Sequence, residues 1–290
     1  MGGSEAFTRM LVDTKPLAPS RQCGRAPPRW LALGRAIPGR ARLALGAASL
    51  LSMVAAYAWL PARSGSDAAI VPTLSSIGGA TAEALASREL WTDVQHSFLR
   101  VTAGFAAAAV LAVPLGVLAG AFRGVAALLE PPTEFLRYVP VPALIPLVMI
   151  AAGIGEGAKV LLVFLGTFFQ LLIMTADEVR RVPTPLVQIS QSLGATRREI
   201  VWRVLAPAAL PGVWGALRIC NGWAWSYVVV AELVAATEGL GFRILRFYRF
   251  LQTPSIYAYL LVLGLLGLGL DWMFRAASRR LFPWARGRET

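Results

Sequence analysis

The sequence predicts an all-α, polytopic membrane protein with about six transmembrane helices, and two observations support that prediction. Of the 290 residues, 56% are hydrophobic and only 15% are charged. Average soluble domains are about half apolar and about a quarter charged. In addition, apolar stretches long enough to cross a ~30 Å hydrocarbon core as helices recur along most of the chain. Both features are typical of a protein whose main solvent is lipid.

Each predicted span has its own pattern. The second span is rich in Ala and Gly, which lets membrane helices approach closely. The third contains Pro140, Pro142 and Pro146, and each proline removes a backbone donor, so we expect this helix to be kinked or broken. The six predicted spans cover residues 43–60, 98–122, 135–153, 159–176, 213–234 and 256–274.

The predicted spans divide the chain into four parts. Residues 1–40 are rich in Pro, Gly and Arg and predict a disordered basic tail. Residues 41–95 hold the first span and an outer segment. The main transmembrane domain covers residues 96–285, and residues 286–290 form a short C-terminal tail.

The net charge of +12 comes largely from arginines near the two ends of the chain, beside predicted spans. Excess Lys and Arg beside spans marks the cytoplasmic side. This predicts cytoplasmic termini and argues against nucleic-acid binding. The same orientation places the loop 177–211 inside, with Arg180, Arg181, Arg197, Arg198 and Arg203.

One predicted outer segment, residues 241–252, breaks the charge rule because it carries Arg243, Arg246 and Arg249 among aromatic and apolar residues. The pattern predicts a short interfacial amphipathic helix. Two interpretations stay open at this point. The arginines attract an anionic solute or an acidic partner, or they pack against the outer leaflet.

The chain lacks the residues that several catalytic and metal-binding classes need. Its only cysteines are Cys23 and Cys220, and its only histidine is His96, so the sequence offers no disulfide framework, zinc site or histidine catalysis. Neither Lys15 nor Lys159 follows a glycine, so the chain has no phosphate-binding Gly-x4-Gly-Lys-Ser/Thr motif. We therefore predict a non-catalytic chain without metal or cofactor, and any ATPase that drives it is a separate protein.

The inner loop, residues 177–211, has its own helical pattern. We expect a short helix over 186–193 that ends at Gly194 in the left-handed conformation. Thr196 and Glu199 have the spacing of a capping box that starts a second helix. That helix carries an apolar stripe at Ile200, Val201, Val204 and Leu205, and Pro207 and Pro211 are expected to end it. An exposed apolar stripe on the inner face predicts a partner protein.

This loop resembles the EAA loop of bacterial binding-protein-dependent ABC permeases, in which Glu-Ala-Ala, three residues, Gly, nine residues and Ile-x-Leu-Pro follow one another. Gly194 matches the glycine, and Val204, Ala206 and Pro207 match the Ile, Leu and Pro. Residues 188–190 read Gln-Ile-Ser where the family has Glu-Ala-Ala, so the role of that glutamate does not carry over. The blocks HSFLRVTAGF, PLGVLAG, GIGEGAK, SLGATRREIVWRVLAPAALPG, VVVAELV and RRLFPW are similar to the nitrate/sulfonate/taurine-type permeases over about residues 90–285.

The resemblance implies a type I ABC importer permease in the bacterial inner membrane, working as a homodimer with two ATPase chains and a periplasmic or lipid-anchored binding protein. It implies a small solute such as nitrate, a sulfonate or taurine. The alternative from another class is a secondary transporter or channel that needs no ATP. The resemblance also implies that the loop couples to the ATPase, through Ser190, Leu193, Gly194, Ala195, Thr196, Glu199, Val204 and Pro207.

Polar residues within the spans are the candidates for the translocation path, because charge inside a bilayer is costly and usually functional. Arg218, Asn221, Trp225 and Glu232 lie near one face of the fifth span, and they either line the path or reach toward opposite interfaces. Gln170 in the fourth span either meets solute or bonds to a neighbouring helix. A local ion pair is expected between Asp271 and Arg275, which are four residues apart, and His96 is expected to have an ordinary interfacial role.

Overall fold

The computed structural model describes residues 38–64 and 71–288, and every regular element in those two ranges is helical. The predicted tail, residues 1–40, lies outside the described residues except for positions 38–40, where the first helix begins. The α-helices are α1 (Gly39–Ser64), α2 (Leu74–Ala86), α3 (Arg88–Ala121), α4 (Arg123–Arg137), α5 (Val141–Ala152), α6 (Glu156–Arg180), α7 (Thr184–Ser192), α8 (Arg197–Glu199), α9 (Ala206–Ala235), α10 (Leu240–Arg249) and α11 (Thr253–Leu281). A π-helical turn, Ile200–Leu205, joins α8 to α9, and a 3-10 turn, Pro283–Arg288, follows α11.

The spans agree with the sequence prediction in number and order. Within the described ranges, five helical stretches are long and apolar enough to cross a membrane, and the number is six if α4 and α5, a pair bent by 103° at its break, count as one span. The expectation of a broken third span is therefore confirmed. Pro140 caps α5, and Pro142 sits in its first turn, where a missing N–H costs no helical bond.

The expected end of the inner helix at Pro207 and Pro211 is wrong. The chain stays helical from Arg197 to Val234, a stretch of 38 residues, because α8, the π turn and α9 are continuous. The Ala206 amide donates to the Val201 carbonyl five residues back. This wider turn comes immediately before Pro207, whose ring has no N–H to give and would crowd the preceding turn of an α-helix.

Small residues bring α3 and α6 into close contact, as the Ala- and Gly-rich second span predicts. A side-chain carbon added at Gly104, Gly116 or Gly120 would lie 2.7 Å from a carbonyl oxygen of α6. Ala108 and Ala112 fall on the same line, four residues apart, and are fully buried. Because helices in lipid associate through packing rather than through burial from water, this line of small residues holds the pair together.

α6 also packs along α9, so it lies at the centre of the bundle. An added carbon at Gly166 would lie 2.5 Å from the Tyr227 ring, and the Cys220 Sγ lies 3.9 Å from the Met174 Sδ. α10 contacts α9 and also α11, and α2 packs on α11. This arrangement brings together the N-terminal parts of α3 and α6, the C-terminal end of α9, and α10.

Candidate coupling and translocation sites

The loop between α7 and α8 has the geometry that the sequence predicts. Gly194 has φ +79°, its N–H donates to the Gln191 carbonyl at 2.9 Å, and the Ala195 N–H donates to the Ser190 carbonyl at 3.0 Å. These two bonds form a Schellman motif. Nothing lies within 4 Å of a side-chain carbon added at Gly194, so the backbone conformation, not lack of space, requires glycine there.

The predicted capping box is also confirmed. The Thr196 N–H donates to the Glu199 carboxylate at 3.0 Å, and the Glu199 N–H donates to the Thr196 hydroxyl at 3.4 Å. Both donors would otherwise be unsatisfied at a helix start. The box therefore fixes the direction in which α8 leaves the loop.

The apolar stripe expected on the second inner helix is not exposed. Ile200 and Val201 are buried, and Val201 packs in a cluster with residues of α3 and α6. The exposed apolar surface lies instead on α7, where Leu186, Ile189 and Leu193 are 43%, 59% and 83% exposed. Their spacing places them along one side of α7, which buries no residue of its own. The exposed apolar surface of this loop is therefore on its first helix and not on its second.

A buried ion network joins α3, α6 and α9, and its centre is Arg100 of α3. The Arg100 guanidinium donates to Glu156 of α6 at 2.6 and 2.8 Å and to Glu232 of α9 at 2.7 Å. It also donates to the Glu238 carbonyl at 2.7 Å. Glu232 is fully buried and accepts two further bonds, from the Ser97 hydroxyl and from a backbone N–H of α10.

The same network holds α10. Arg243 donates to Asp93 at 2.8 Å and to Glu89 at 2.7 Å, and the Gly239 N–H donates to Asp93 at 2.8 Å. Burial alone would lower the pKa of Arg243, but the hydrogen bond and charge of Asp93 raise that pKa above its ordinary value. Arg243 is thus a structural cation.

The other two arginines of this segment, Arg246 and Arg249, are exposed. They remain available to an anionic solute, an acidic partner or lipid, the roles that the sequence leaves open. His96 lies close by and pairs with the Glu238 side chain at 2.8 Å.

The residues predicted for the translocation path fall into two groups. Gln170 and Asn221 are partly exposed, and their side chains make no hydrogen bond to another described residue. Arg218, also partly exposed, pairs with Asp271, which pairs in turn with Arg275 as expected.

The second group lies inside the protomer. Glu232 is fully buried in the ion network, and Trp225 is 4% exposed within the apolar core. The Trp225 Nε1 has no acceptor among the described residues. Of the four residues predicted on one face of the fifth span, Trp225 and Glu232 are thus buried, whereas Arg218 and Asn221 are partly exposed.

Sequence reasoning missed most of the ion network. Asp93, Ser97, Arg100 and Glu156 are not among the predicted site residues. One signal was present. Arg100 lies two residues inside a predicted span, where a cation needs a carboxylate partner. The partner, Glu232, lies 132 positions along the chain, and no local pattern connects the two.

The sequence model of the protein family described as binding-protein-dependent transport system inner membrane component matches residues 112–283 of the chain. The chain belongs to this family. The permease is 38% identical to a probable ABC transporter permease protein of Brucella melitensis, over 69% of this chain and 81% of that protein. It is 37% identical to the taurine transport system permease protein TauC of Escherichia coli, over 67% and 71% of the two chains. A putative aliphatic sulfonates transport permease protein of Bacillus subtilis is 32% identical over 77% and 81%.

The fold of the permease is similar to that in solved inward-facing structures of the MetNI methionine ABC transporter. One match has a TM-score of 0.54 and 25% identity, and covers 67% of this chain and 94% of that chain. Together these findings confirm the resemblance read from the sequence. The permease is the transmembrane subunit of an ATP-binding-cassette importer, a multi-pass component of the inner membrane.

Proposed function

We propose that this permease forms the path for a small anion or zwitterion, such as nitrate, a sulfonate or taurine. The relatives named for taurine and for aliphatic sulfonates support this proposal, because both kinds of solute carry a sulfonate group. Within the chain, Gln170, Asn221 and Arg218 offer amide and guanidinium donors on partly exposed surfaces. Donors of this kind stabilise an anion that has left water.

The two buried residues of the predicted path have different roles in this proposal. Trp225 keeps an indole N–H without an acceptor among the described residues, and a solute oxygen entering the bundle would satisfy it. Glu232 is saturated with donors and faces no open surface, so it fixes the wall of the path instead of contacting solute.

Transport is driven by a separate ATPase that binds the inner loop, and the observation that carries this proposal is the exposed apolar side of α7. Leu186, Ile189 and Leu193 are exposed on a helix that ends in a Schellman motif, next to a second helix that starts with a capping box, and a loop without a partner gains nothing from such an ordered apolar surface. The coupling residues are those that form or flank this unit: Ser190, Leu193, Gly194, Ala195, Thr196, Glu199, Val204 and Pro207. The permease itself is non-catalytic.

The proposed assembly contains two copies of the permease, two ATPase chains and a periplasmic or lipid-anchored binding protein. Both termini of the permease are cytoplasmic in this proposal. Support comes from the basic loop 177–211, which must face the ATPase and which the positive-inside rule also places inside. With that orientation the ion network and α10 face the binding protein.

Reconstitution tests the proposal. The permease, an ATPase encoded beside it and the binding protein are placed in liposomes, and ATP-dependent uptake of labelled taurine, methanesulfonate and nitrate is compared with uptake of choline, a cation. We expect Leu193→Asp to abolish ATPase retention and uptake, while Leu193→Met, which keeps the apolar surface, retains both. Uptake that needs no ATPase would instead favour a secondary transporter, and equal uptake of choline would exclude the anion proposal.

A further inference from the structure

An apolar cleft of about 700 Å³ lies beside α7. It is bounded by the end of α6, the start of α7, the start of α9 and the 3-10 turn after α11. Its wall includes the apolar residues Leu186, Pro207, Phe282 and Trp284 and the charged residues Glu178, Arg181 and Arg279. Leu186 therefore belongs both to the exposed side of α7 and to this cleft, so the two surfaces are continuous.

The wall formed by the 3-10 turn is held firmly. The Phe282 ring is 7% exposed and packs with the Trp214 ring, at 6.1 Å between centroids, and with the Trp284 ring, at 5.7 Å. The Trp214 Nε1 donates to the Phe274 carbonyl at 2.9 Å. Trp284 nevertheless stays 69% exposed. A large aromatic side chain that is fixed and exposed is typical of a binding hot spot.

The size of α7 shows that a partner bound to it must also contact neighbouring surface. Its nine residues form a helix of about 13 Å, and one side of such a helix offers roughly 150–200 Å² of projected area. A stable protein interface buries about 800 Å² on each partner. The concave apolar surface that is continuous with α7 is the cleft at Leu186 and Trp284.

We infer that this cleft is the second half of the ATPase docking surface, and that it takes a projecting apolar side chain of the ATPase. The inference rests on the proposed coupling function and adds a second contact to it. Arg181 and Glu178, which both line the cleft, pair with each other, so the apolar part of the wall is what remains for a partner. A protein partner is favoured over a lipid because the cleft continues onto α7, which lies outside the candidate membrane spans.

The test measures how much ATPase stays with the affinity-purified permease. Trp284→Ala removes the aromatic wall, and Ala208→Phe fills the cleft from the exposed start of α9. Trp272→Ala is the matched control, since Trp272 is 65% exposed on α11 and does not line the cleft. Leu193→Asp is the reference for the coupling helix. Gel filtration and thermal unfolding show that each variant is folded.

We expect Trp284→Ala and Ala208→Phe to lower ATPase retention by at least about tenfold and Trp272→Ala to leave it unchanged. If both cleft variants retain the ATPase while Leu193→Asp loses it, the inference is overturned and the proposed function stands. If Leu193→Asp also retains it, the coupling proposal fails together with the inference. Loss of co-purifying phosphatidylglycerol without loss of ATPase would make the cleft a lipid site and would also overturn the inference.

Discussion

Replacing Arg100 with alanine tests whether the outer ion network holds the bundle together. The Arg100 side chain is 4% exposed and Glu232 is fully buried. The substitution removes the guanidinium that contacts Glu232, Glu156 and the Glu238 carbonyl. Glu232 keeps its bonds from Ser97 and from the α10 backbone, but it loses the only cation within bonding distance among the described residues.

The expected loss follows from the burial of the two partners. Leaving a buried carboxylate without its cation costs about 3–5 kcal/mol. The pair of Arg218 and Asp271 has the same chemistry with side chains 39% and 30% exposed, and such pairs contribute roughly 0–1 kcal/mol. At about 2–4 °C per kcal/mol for a chain of this size, Arg100→Ala lowers Tm by roughly 6–20 °C. Arg218→Ala lowers it by at most about 4 °C.

Thermal unfolding of the three proteins in one detergent, at one scan rate, measures the difference. The double variant Arg100→Ala with Glu232→Gln adds a second check. It removes the uncompensated charge and keeps an acceptor for Ser97, so we expect it to recover at least about 1 kcal/mol relative to Arg100→Ala. The reasoning is refuted if Arg100→Ala is no more destabilising than Arg218→Ala, or if the double variant recovers nothing.

Three further substitutions test the coupling loop, the helix packing and the outer segment. Gly194→Ala forces a side chain into φ +79° at a cost of about 1 kcal/mol, whereas Gly194→Asn tolerates that conformation. Limited proteolysis should therefore cut the loop faster in Gly194→Ala than in Gly194→Asn, and ATPase retention should fall only in Gly194→Ala. Gly116→Leu places atoms where the α6 backbone lies 2.7 Å away and should lower the free energy of unfolding by at least about 1–3 kcal/mol. Gly124→Leu, with open space around it, should not. Equal losses in thermal unfolding would contradict the close packing of α3 on α6. Arg243→Ala removes the cation that pairs with buried Asp93 and should lower Tm, whereas Arg246→Ala should leave Tm unchanged. A drop in binding-protein-stimulated ATP hydrolysis in Arg246→Ala would assign that exposed arginine to partner or solute contact.

The sequence predicted those features that depend on local chemistry. Runs of apolar residues place the spans, and three prolines mark the broken third span. The left-handed conformation at Gly194 and the capping box from Thr196 to Glu199 also follow from short-range rules, and the structure has both. Each of these features is determined by residues a few positions apart, which is the range over which sequence patterns are reliable.

The features that sequence reasoning missed depend on contacts between distant segments. Ile200 and Val201 have the spacing of an apolar stripe, but spacing does not show whether that stripe faces a partner protein or the chain's own α3 and α6. The prediction that the second helix ends at Pro207 was wrong for a related reason. A π turn accommodates the proline, and nothing in the local sequence distinguishes that outcome from a break.

The two candidate sites are joined by one continuous helix. The capping box lies at one end of the stretch from Arg197 to Val234, and Glu232 of the ion network lies near the other end, so about 50 Å of helix separates Glu199 from Glu232. Within this stretch the π turn at Ile200–Leu205 is the irregular part, and it directly follows the loop. Ile200 and Val201 of this turn are buried, and Val201 packs against α3 and α6. In the proposed coupling, a displacement of α7 therefore acts on α3 and α6 through this packed turn as well as on α9 through the continuous helix.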